Sequence, residues 1–289
     1  MKIETLVQLL ALADRLEGEG QLNNAKLLRA AVDSLLTRLA RQQDFLTDKQ
    51  GLLAETDRAI QTLSELDLEP VLMDALHRAR AALAEGRLPH FDEIPDPFVC
   101  RTCGYIALGE AVICPVCGAQ PVTFNHIRPV FWLEAFDPFS ALEHLHSTPE
   151  KVASLLAGVT ETRADELPEE GGWSLRQAVA HLRDAQGVLA FRVDLILDQE
   201  NPVLESKAVF EWATKEADRP ETAGEIFEAY RRSRAGTVAR LESLPLNAWW
   251  RCGRHEEFGE LRLYEQASYF ACHELTHLPQ IASLAHKTG

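Results

Sequence analysis

Gly171-Gly-Trp-Ser-Leu-Arg-Gln-Ala-Val-Ala-His-Leu-Arg-Asp184 is the stretch whose reading decides the fold. Ser174 with Gln177 three residues on is a capping-box pattern. An apolar run follows it, so the spacing predicts a helix opening at Ser174 and continuing to about Asp198. His181 borders the apolar face of that helix. Helical spacing recurs on both sides of it. Roughly Ser140 to Val159 reads as one helix. About Ala223 to Leu244 reads as another, with Ile226, Phe227, Tyr230, Val238 and Leu241 on one face and Pro245 as its stop. A last helix is expected from about Leu261 to His286. Four helical segments over 139–289 predict a bundle, with connections longer than the minimum, above all between the second and third helices. No strand-period stretch of any length and no internal repeat stand out.

The last helix carries His273-x-x-x-His277. Residues four apart share a helix face, so the two imidazoles project together. Their face is also that of Leu263, Phe270, Ile281 and Leu284. Polar groups on an apolar stripe need a partner, because an unsatisfied buried one costs about 1–3 kcal/mol. A metal ion is the simplest partner, and His181 is the preferred third ligand. Three protein ligands leave a position open for water or substrate, which is the catalytic pattern. The string His273-Glu-Leu-Thr-His277 also matches HExxH, the zincin protease motif. A zincin needs a third ligand downstream, and His286, the only later histidine, is too distant for a metzincin pattern. Glu274 abuts both ligands and Gln280 follows one turn beyond His277. Either is a candidate for the layer behind the metal or for a general base. Arg234 interrupts the apolar stripe of the third helix. It is read as a holder of an anionic substrate group or as a snorkelling surface side chain. His144 and His146 sit on the first bundle helix with no assigned role, Cys272 reads as packing, and Trp249 and Trp250 as core or lid.

Upstream, Cys100-x-x-Cys103 and Cys114-x-x-Cys117 form a second metal signature. Each CxxC turn points two thiolates at one ion, and two turns complete a tetrahedron. Such a four-sulfur set suits zinc and iron alike. A Gly follows each pair, letting backbone amides approach the sulfurs. The module covers 98–124, after an acidic, Pro-rich linker His90-Phe-Asp-Glu-Ile-Pro-Asp-Pro97 and before a second linker between Pro129 and Pro138. Residues 1–92 read as helices throughout, with breaks at Gly18 to Gly20, Asp48 to Gly51 and Leu68 to Pro70. They are read as a structural or dimerising element.

The formal net charge of -15 argues against nucleic acid and against anionic membrane surfaces. No apolar run approaches the ~20 residues of a spanning helix. The first twenty residues read as an amphipathic helix and not as a signal peptide, because Glu4 and Asp14 interrupt the apolar pattern. With cysteines paired as CxxC, a reducing cytoplasm is the expected compartment.

Two resemblances follow from these motifs. Phe98-Val-Cys-Arg-Thr-Cys-Gly-Tyr105, Ile113-Cys-Pro-Val-Cys-Gly118 and the closing Phe124 resemble the rubredoxin-like domain at the end of rubrerythrins. That resemblance implies one iron passing single electrons, with zinc as the alternative occupant. Rubrerythrins also carry a diiron bundle with Glu-x-x-His pairs, which residues 1–90 lack, so no diiron centre is expected. The C-terminal stretch resembles the DinB-like superfamily of four-helix bundles. The matching features are Trp173-Ser174 with His181 seven residues on, His273-x-x-x-His277 with Pro279-Gln-Ile281, and the Ser147-Thr-Pro-Glu-Lys and Ala157-Gly-Val stretches. It implies that His181, His273 and His277 hold one divalent ion (zinc, nickel, iron or manganese) in a bundle cleft. It also implies a small-molecule enzyme of thiol transfer or detoxification, using a low-molecular-weight thiol. A non-catalytic redox-sensing or structural metal protein is the alternative.

Overall fold

The computed structural model describes residues 3–43, 48–169, 171–206 and 221–286. The chain divides into two compact units, Met1–Glu65 and Leu66–Gly289. In the first, α1 (Ile3–Gly18) and α2 (Leu22–Ala40) pair through a turn at Gly20, whose φ of 75° suits glycine. Leu6, Ala13, Ala25 and Val32 are buried, and Arg29 holds Asp14 at 2.8 Å. Then α3 (Lys49–Ser64) opens on Asp48, whose side chain accepts from Gly51 N at 2.6 Å. Asp48 to Gly51 are thus the first turn of a helix, not a break.

The second unit opens with α4 (Pro70–Glu85), closed by Gly86 in the left-handed region. The division at Glu65 therefore sets α4 apart from the other N-terminal helices, whose run was expected to extend to about residue 92. The cysteine module is a three-stranded antiparallel sheet of β1 (Pro97–Cys100), β2 (Ile106–Leu108) and β3 (Phe124–His126) in the order β2-β1-β3. Val99 faces Ile106 in the register, and Cys100 faces Phe124. Arg128, just past β3, ties this module to the bundle through Glu265 at 3.3 Å.

The bundle consists of α5 (Pro138–Leu156), α7 (Leu175–Asp198), α8 (Ala223–Glu242) and α9 (Leu263–His286), with a short α6 (Glu161–Asp165) in the first connection. The capping box of Ser174 and Gln177 is formed, and Thr222 with Glu225 forms a second one on α8. Both α5 and α7 pack on α8 and α9, so α5 and α7 lie on one diagonal. The core has two apolar layers. One joins Ala141 and Leu145 to Val188, Leu189 and Ile196, and to Val238, Leu241, Leu263 and Phe270. The other joins Val152 to Leu175, Val179, Leu182, Ile226, Phe227 and Ile281. Reading these layers along each helix, α5 and α9 run one way and α7 and α8 the other. Parallel neighbours α7 and α8 need a long crossover, which accounts for the long second connection.

That crossover and the segment before α9 contain strands, contrary to the expectation of none. β4 (Val203–Leu204) runs parallel to β5 (Cys252–His255), and β5 pairs antiparallel with β6 (Gly259–Arg262). The last helix consequently begins at Leu263 and not at Leu261. The alternation that marks a strand spans only four residues in β6, Gly-Glu-Leu-Arg, too short to separate from a helix start. Gly259 is required here: its φ is 73°, and a Cβ would stand 2.7 Å from the ring of Phe91. Among the described residues, no helix is long and apolar enough to cross a membrane.

Candidate metal centres and the cavity beside them

His181 on α7 and His273 and His277 on α9 converge through their Nε2 atoms. His273 Nε2 lies 3.0 Å from that of His181 and 3.2 Å from that of His277. Ligands about 2.0–2.1 Å from a tetrahedral ion stand about 3.4 Å apart, so these spacings suit one divalent ion. Three imidazole nitrogens this close cannot all be satisfied by one another, and an ion satisfies all three at once. Burial, reinforced by His277, lowers the pKa of His181 to about 4. Burial, with both other histidines, lowers that of His273 to about 3. These two rings are therefore neutral at pH 7 and offer lone pairs, as ligation requires. His277 Nδ1–H donates to Gln280 Oε1 at 2.8 Å, which leaves Nε2 free to bind metal. Among the described residues, His273 Nδ1 is buried without a hydrogen-bond partner.

Aromatic rings surround the three histidines. Trp173 lies over His181 at 4.8 Å and stacks on His277 at 6.0 Å. Tyr269 is parallel to His273 at 6.2 Å, and Trp132 meets His273 edge-on at 6.0 Å. Tyr269 and Trp132 carried no distinguishing signal in the sequence. Trp132 comes from the linker before α5, and only the chain's path brings it here.

Arg234 and Glu274 are placed differently from either sequence reading. Both are fully buried between the two apolar layers. Arg234 Nη1 donates to Glu274 Oε2 at 2.8 Å and to Leu145 O at 3.1 Å, its Nη2 donates to Glu274 Oε1, and its Nε donates to Gln186 Oε1 at 2.6 Å. Tyr230 also donates to Glu274, at 3.1 Å. Residues from all four bundle helices, two of them from α8, thus meet in a single polar knot. Arg234 neither snorkels nor faces a ligand. Glu274 is one residue from His273 but about 100° round the helix, bonded into the core and not into the metal site. The HExxH string therefore lacks its base. His144 packs on Phe136 at 4.4 Å, and neither His144 nor His146 joins the three-histidine group.

The four cysteines also come together. Cys100 Sγ is 3.7 Å from Cys117 Sγ, and Cys103 Sγ is 3.6 Å from Cys114 Sγ. A tetrahedron of thiolates about 2.3 Å from its centre has edges of about 3.8 Å, so the set fits one ion. The two CxxC loops share a design. Gly104 N donates to Cys100 O and Gly118 N to Cys114 O, each at 2.9 Å, with both glycines at positive φ. Burial opposes a thiolate at Cys100, yet the backbone N–H groups of Cys103 and Thr102, together with the thiols of Cys117 and Cys103, draw it down to about 7. At Cys103, against the backbone N–H of Tyr105, burial and the neighbouring sulfurs push the thiol up to about 12. Cys114 is lowered in the same way, against its burial, by the N–H groups of Cys117 and Val116.

A cavity of about 300 Å³ opens beside the three histidines. His181, His273, Tyr269, Phe270, Asp184 and Ala185 form one part of its wall, and Arg192, Ser206, His255, Glu257, Phe258 and Leu88 the rest. The β5–β6 hairpin supplies three of these residues, none of which was singled out from sequence. Asp184 is held by Arg183 at 2.9 Å. Burial, partly offset by Arg192, raises the carboxyl pKa of Glu257.

This geometry defines a four-helix bundle with a three-histidine metal centre opening on a cavity, joined to a separate four-cysteine knuckle. Residues 144–281 match the DinB superfamily, so the C-terminal half carries a DinB-like domain. Several bacterial proteins described as putative metal-dependent hydrolases are similar to it. One from Oceanobacillus iheyensis is 24% identical over 145 residues, spanning 50% of this chain and 83% of its own. One from Geobacillus kaustophilus is 28% identical over 150 residues, spanning 50% and 82%. The solved structure of YfiT from Bacillus subtilis, described as a probable metal-dependent hydrolase with an unusual four-helix bundle topology, aligns at 20% identity. Its TM-score is 0.48, over 53% of this chain and 90% of that one.

Proposed function

We propose that the C-terminal half is a metal-dependent enzyme that transfers a low-molecular-weight thiol to a small electrophilic molecule. The convergence of His181, His273 and His277 beside a cavity carries this reading. A divalent ion held there would lower the pKa of a bound thiol or water and so supply a nucleophile at neutral pH. The protein's own part is to present neutral imidazoles, to hold His277 through Gln280, and to line the approach with Trp173, Tyr269 and Trp132 against bulk water. The thiol gives up its proton to solvent, its sulfur bonds to carbon, and the carbon–leaving-group bond breaks with the leaving group taking the electron pair. Glu274, the carboxylate nearest the ligands in sequence, is locked to Arg234 and supplies no base, so hydrolysis would have to draw on a carboxylate of the cavity wall. Attack by water ordinarily needs a base.

Hydrolysis is the second reading. The relatives' descriptions favour it, and so does Glu257, whose raised carboxyl pKa suits a base in the cavity wall. For the knuckle we infer a rubredoxin-like site for iron or zinc; its two buried and two exposed sulfurs support this. Elemental analysis of the native-purified chain beside an H181A variant tests the centre. A second ion lost in H181A while the cysteine-bound ion stays is expected, and no loss overturns the assignment. Turnover of a chlorodinitrobenzene-type electrophile with a thiol, set against ester hydrolysis, separates the two chemistries.

A further inference from the structure

Arg192 sits on α7 eleven residues after His181, three turns on and nearly the same face, and both side chains reach the one cavity. Arg192 is 6% exposed. It donates to Gln266 Oε1 at 3.3 Å and to Glu205 O at 3.1 Å, and its Nη2 lies 2.9 Å from His255 Nε2. Among the described residues, none of its partners is a carboxylate. Four other buried or half-buried arginines differ: Arg234 has Glu274, Arg128 has Glu265, Arg183 has Asp184 and Arg176 has Asp165. A buried guanidinium without a paired anion is costly. Burial lowers its pKa to about 10, against the pull of Tyr269 and Glu257.

His255 adds an independent observation. Its Nδ1 faces the backbone N–H groups of Glu257 and Phe258, both at 3.2 Å. Ser206 Oγ lies 3.5 Å from the same Nδ1. With Nδ1 accepting the two backbone bonds, the ring proton sits on Nε2, 2.9 Å from Arg192 Nη2, and both groups can then donate to one oxyanion.

We propose that the cavity binds an elongated monocarboxylate, its carboxylate on Arg192 and His255 and its reacting end at the three histidines. This rests on reading that centre as the site of reaction. A single negative charge suits the cavity because Glu257 shares its wall, which disfavours a dianionic phosphate. Gln266, beside Arg192, is seven residues from His273 on α9, about 10 Å of helix, and Arg192 is eleven residues from His181 on α7, about 16 Å, so a ligand reaching both ends is elongated. Leu88, Phe258 and Phe270 line the space between with apolar surface.

The probes are 6-mercaptohexanoate and its uncharged partner 6-mercaptohexan-1-ol, titrated calorimetrically into the zinc-loaded full chain. The carboxylate is expected to bind about tenfold tighter, the scale of one charged hydrogen bond in a buried site. In R192M the two affinities become equal while that of the alcohol stays unchanged. Equal binding in the unaltered chain, or a preference that survives in R192M, overturns the proposal. Should R192M not fold, H255N removes the second donor; a reduced preference supports the site and an unchanged one overturns it. H181A keeps the two ideas distinguishable. If it leaves the alcohol's affinity unaltered, the reaction centre is misassigned, whereas the carboxylate preference still reports on Arg192.

Discussion

Glu274 is bonded to Arg234 in the centre of the bundle, with oxygen to nitrogen at 2.8 Å, although the residues flanking its helical turn, His273 and His277, converge on each other at the metal site. The knot around this pair separates the two apolar layers and touches all four helices. Because Glu274 adjoins His273 in sequence and Gln186 lies on α7, the knot holds α9 in register against α7, where His181 lies.

Removing the charge of Glu274 should therefore damage stability before it damages anything at the metal. E274Q leaves a buried guanidinium without its counter-ion, and breaking such a pair costs about 3–5 kcal/mol. The urea midpoint should fall by a corresponding amount while the metal content of the folded fraction stays the same. E274Q/R234M, which removes both charges, should recover part of the loss. A protease base would behave oppositely, with activity abolished and the midpoint unmoved. An unmoved midpoint would refute the structural role of Glu274.

The helices were readable because their apolar residues recur at helical spacing and because Ser174 and Gln177 spell out a start. The four cysteines and the His273–His277 pair were readable because chelation demands short fixed spacings, CxxC on a turn and four residues on a helix, whereas His181, 92 residues from His273, entered the set through its helix and the DinB-like resemblance. What could not be read was the direction of a polar side chain on an apolar stripe. Arg192 and Arg234 interrupt α7 and α8 in the same way, yet one lines a cavity and the other is neutralised by Glu274. Periodicity gives the face of a helix and is silent about what opposes it. The β5–β6 hairpin was missed because its strands are four residues each and its partner β4 lies about fifty residues upstream. Its cavity residues were lost with it.

Gln280 should set the affinity for the ion without touching it. Its Oε1 fixes the His277 ring by accepting from Nδ1–H at 2.8 Å. Loss of such an outer partner typically lowers metal affinity about 10–100-fold. Competition with a chromogenic chelator should show Q280A weakened to this degree and Q280E, which keeps the acceptor, retaining most of the affinity. Q280A with undiminished affinity would mean that the ring is oriented by packing against Trp173 alone.

The two metal centres should be separable. Cys103 and Cys117 are the exposed members of the knuckle, so C103S/C117S removes two ligands with little change in packing. One ion per chain should be lost, and proteolysis should become easier at 98–124, because the β2-β1-β3 sheet is held chiefly by its own short ladder. The three-histidine ion and the thermal transition of the bundle should remain. A visible absorbance that disappears in this variant would identify iron, and a colourless parent would identify zinc. Simultaneous loss of both ions would show that the centres depend on each other through Arg128 and Glu265.

Acid should destabilise the metal-free protein in a defined window. Burial, with Arg192 adding to it, lowers the pKa of His255 to about 3, against about 6.5 for a free imidazole. Between these values the unfolded chain binds a proton that the folded one does not, so stability rises with pH there and is lost as pH falls from about 6.5 toward about 3. Above about pH 6.5 the residue contributes no pH dependence. His181 and His273 are lowered in the same direction and steepen the fall. Urea unfolding of chelator-treated protein at about pH 7.5, 5.5 and 4.5 should show this decline, and H255N, which keeps a polar side chain but cannot take up the proton, should make it shallower. An identical pH slope in H255N would mean that His255 takes up its proton in the folded state as easily as in the unfolded one. That result would contradict a histidine enclosed by donors from Arg192, Glu257 and Phe258.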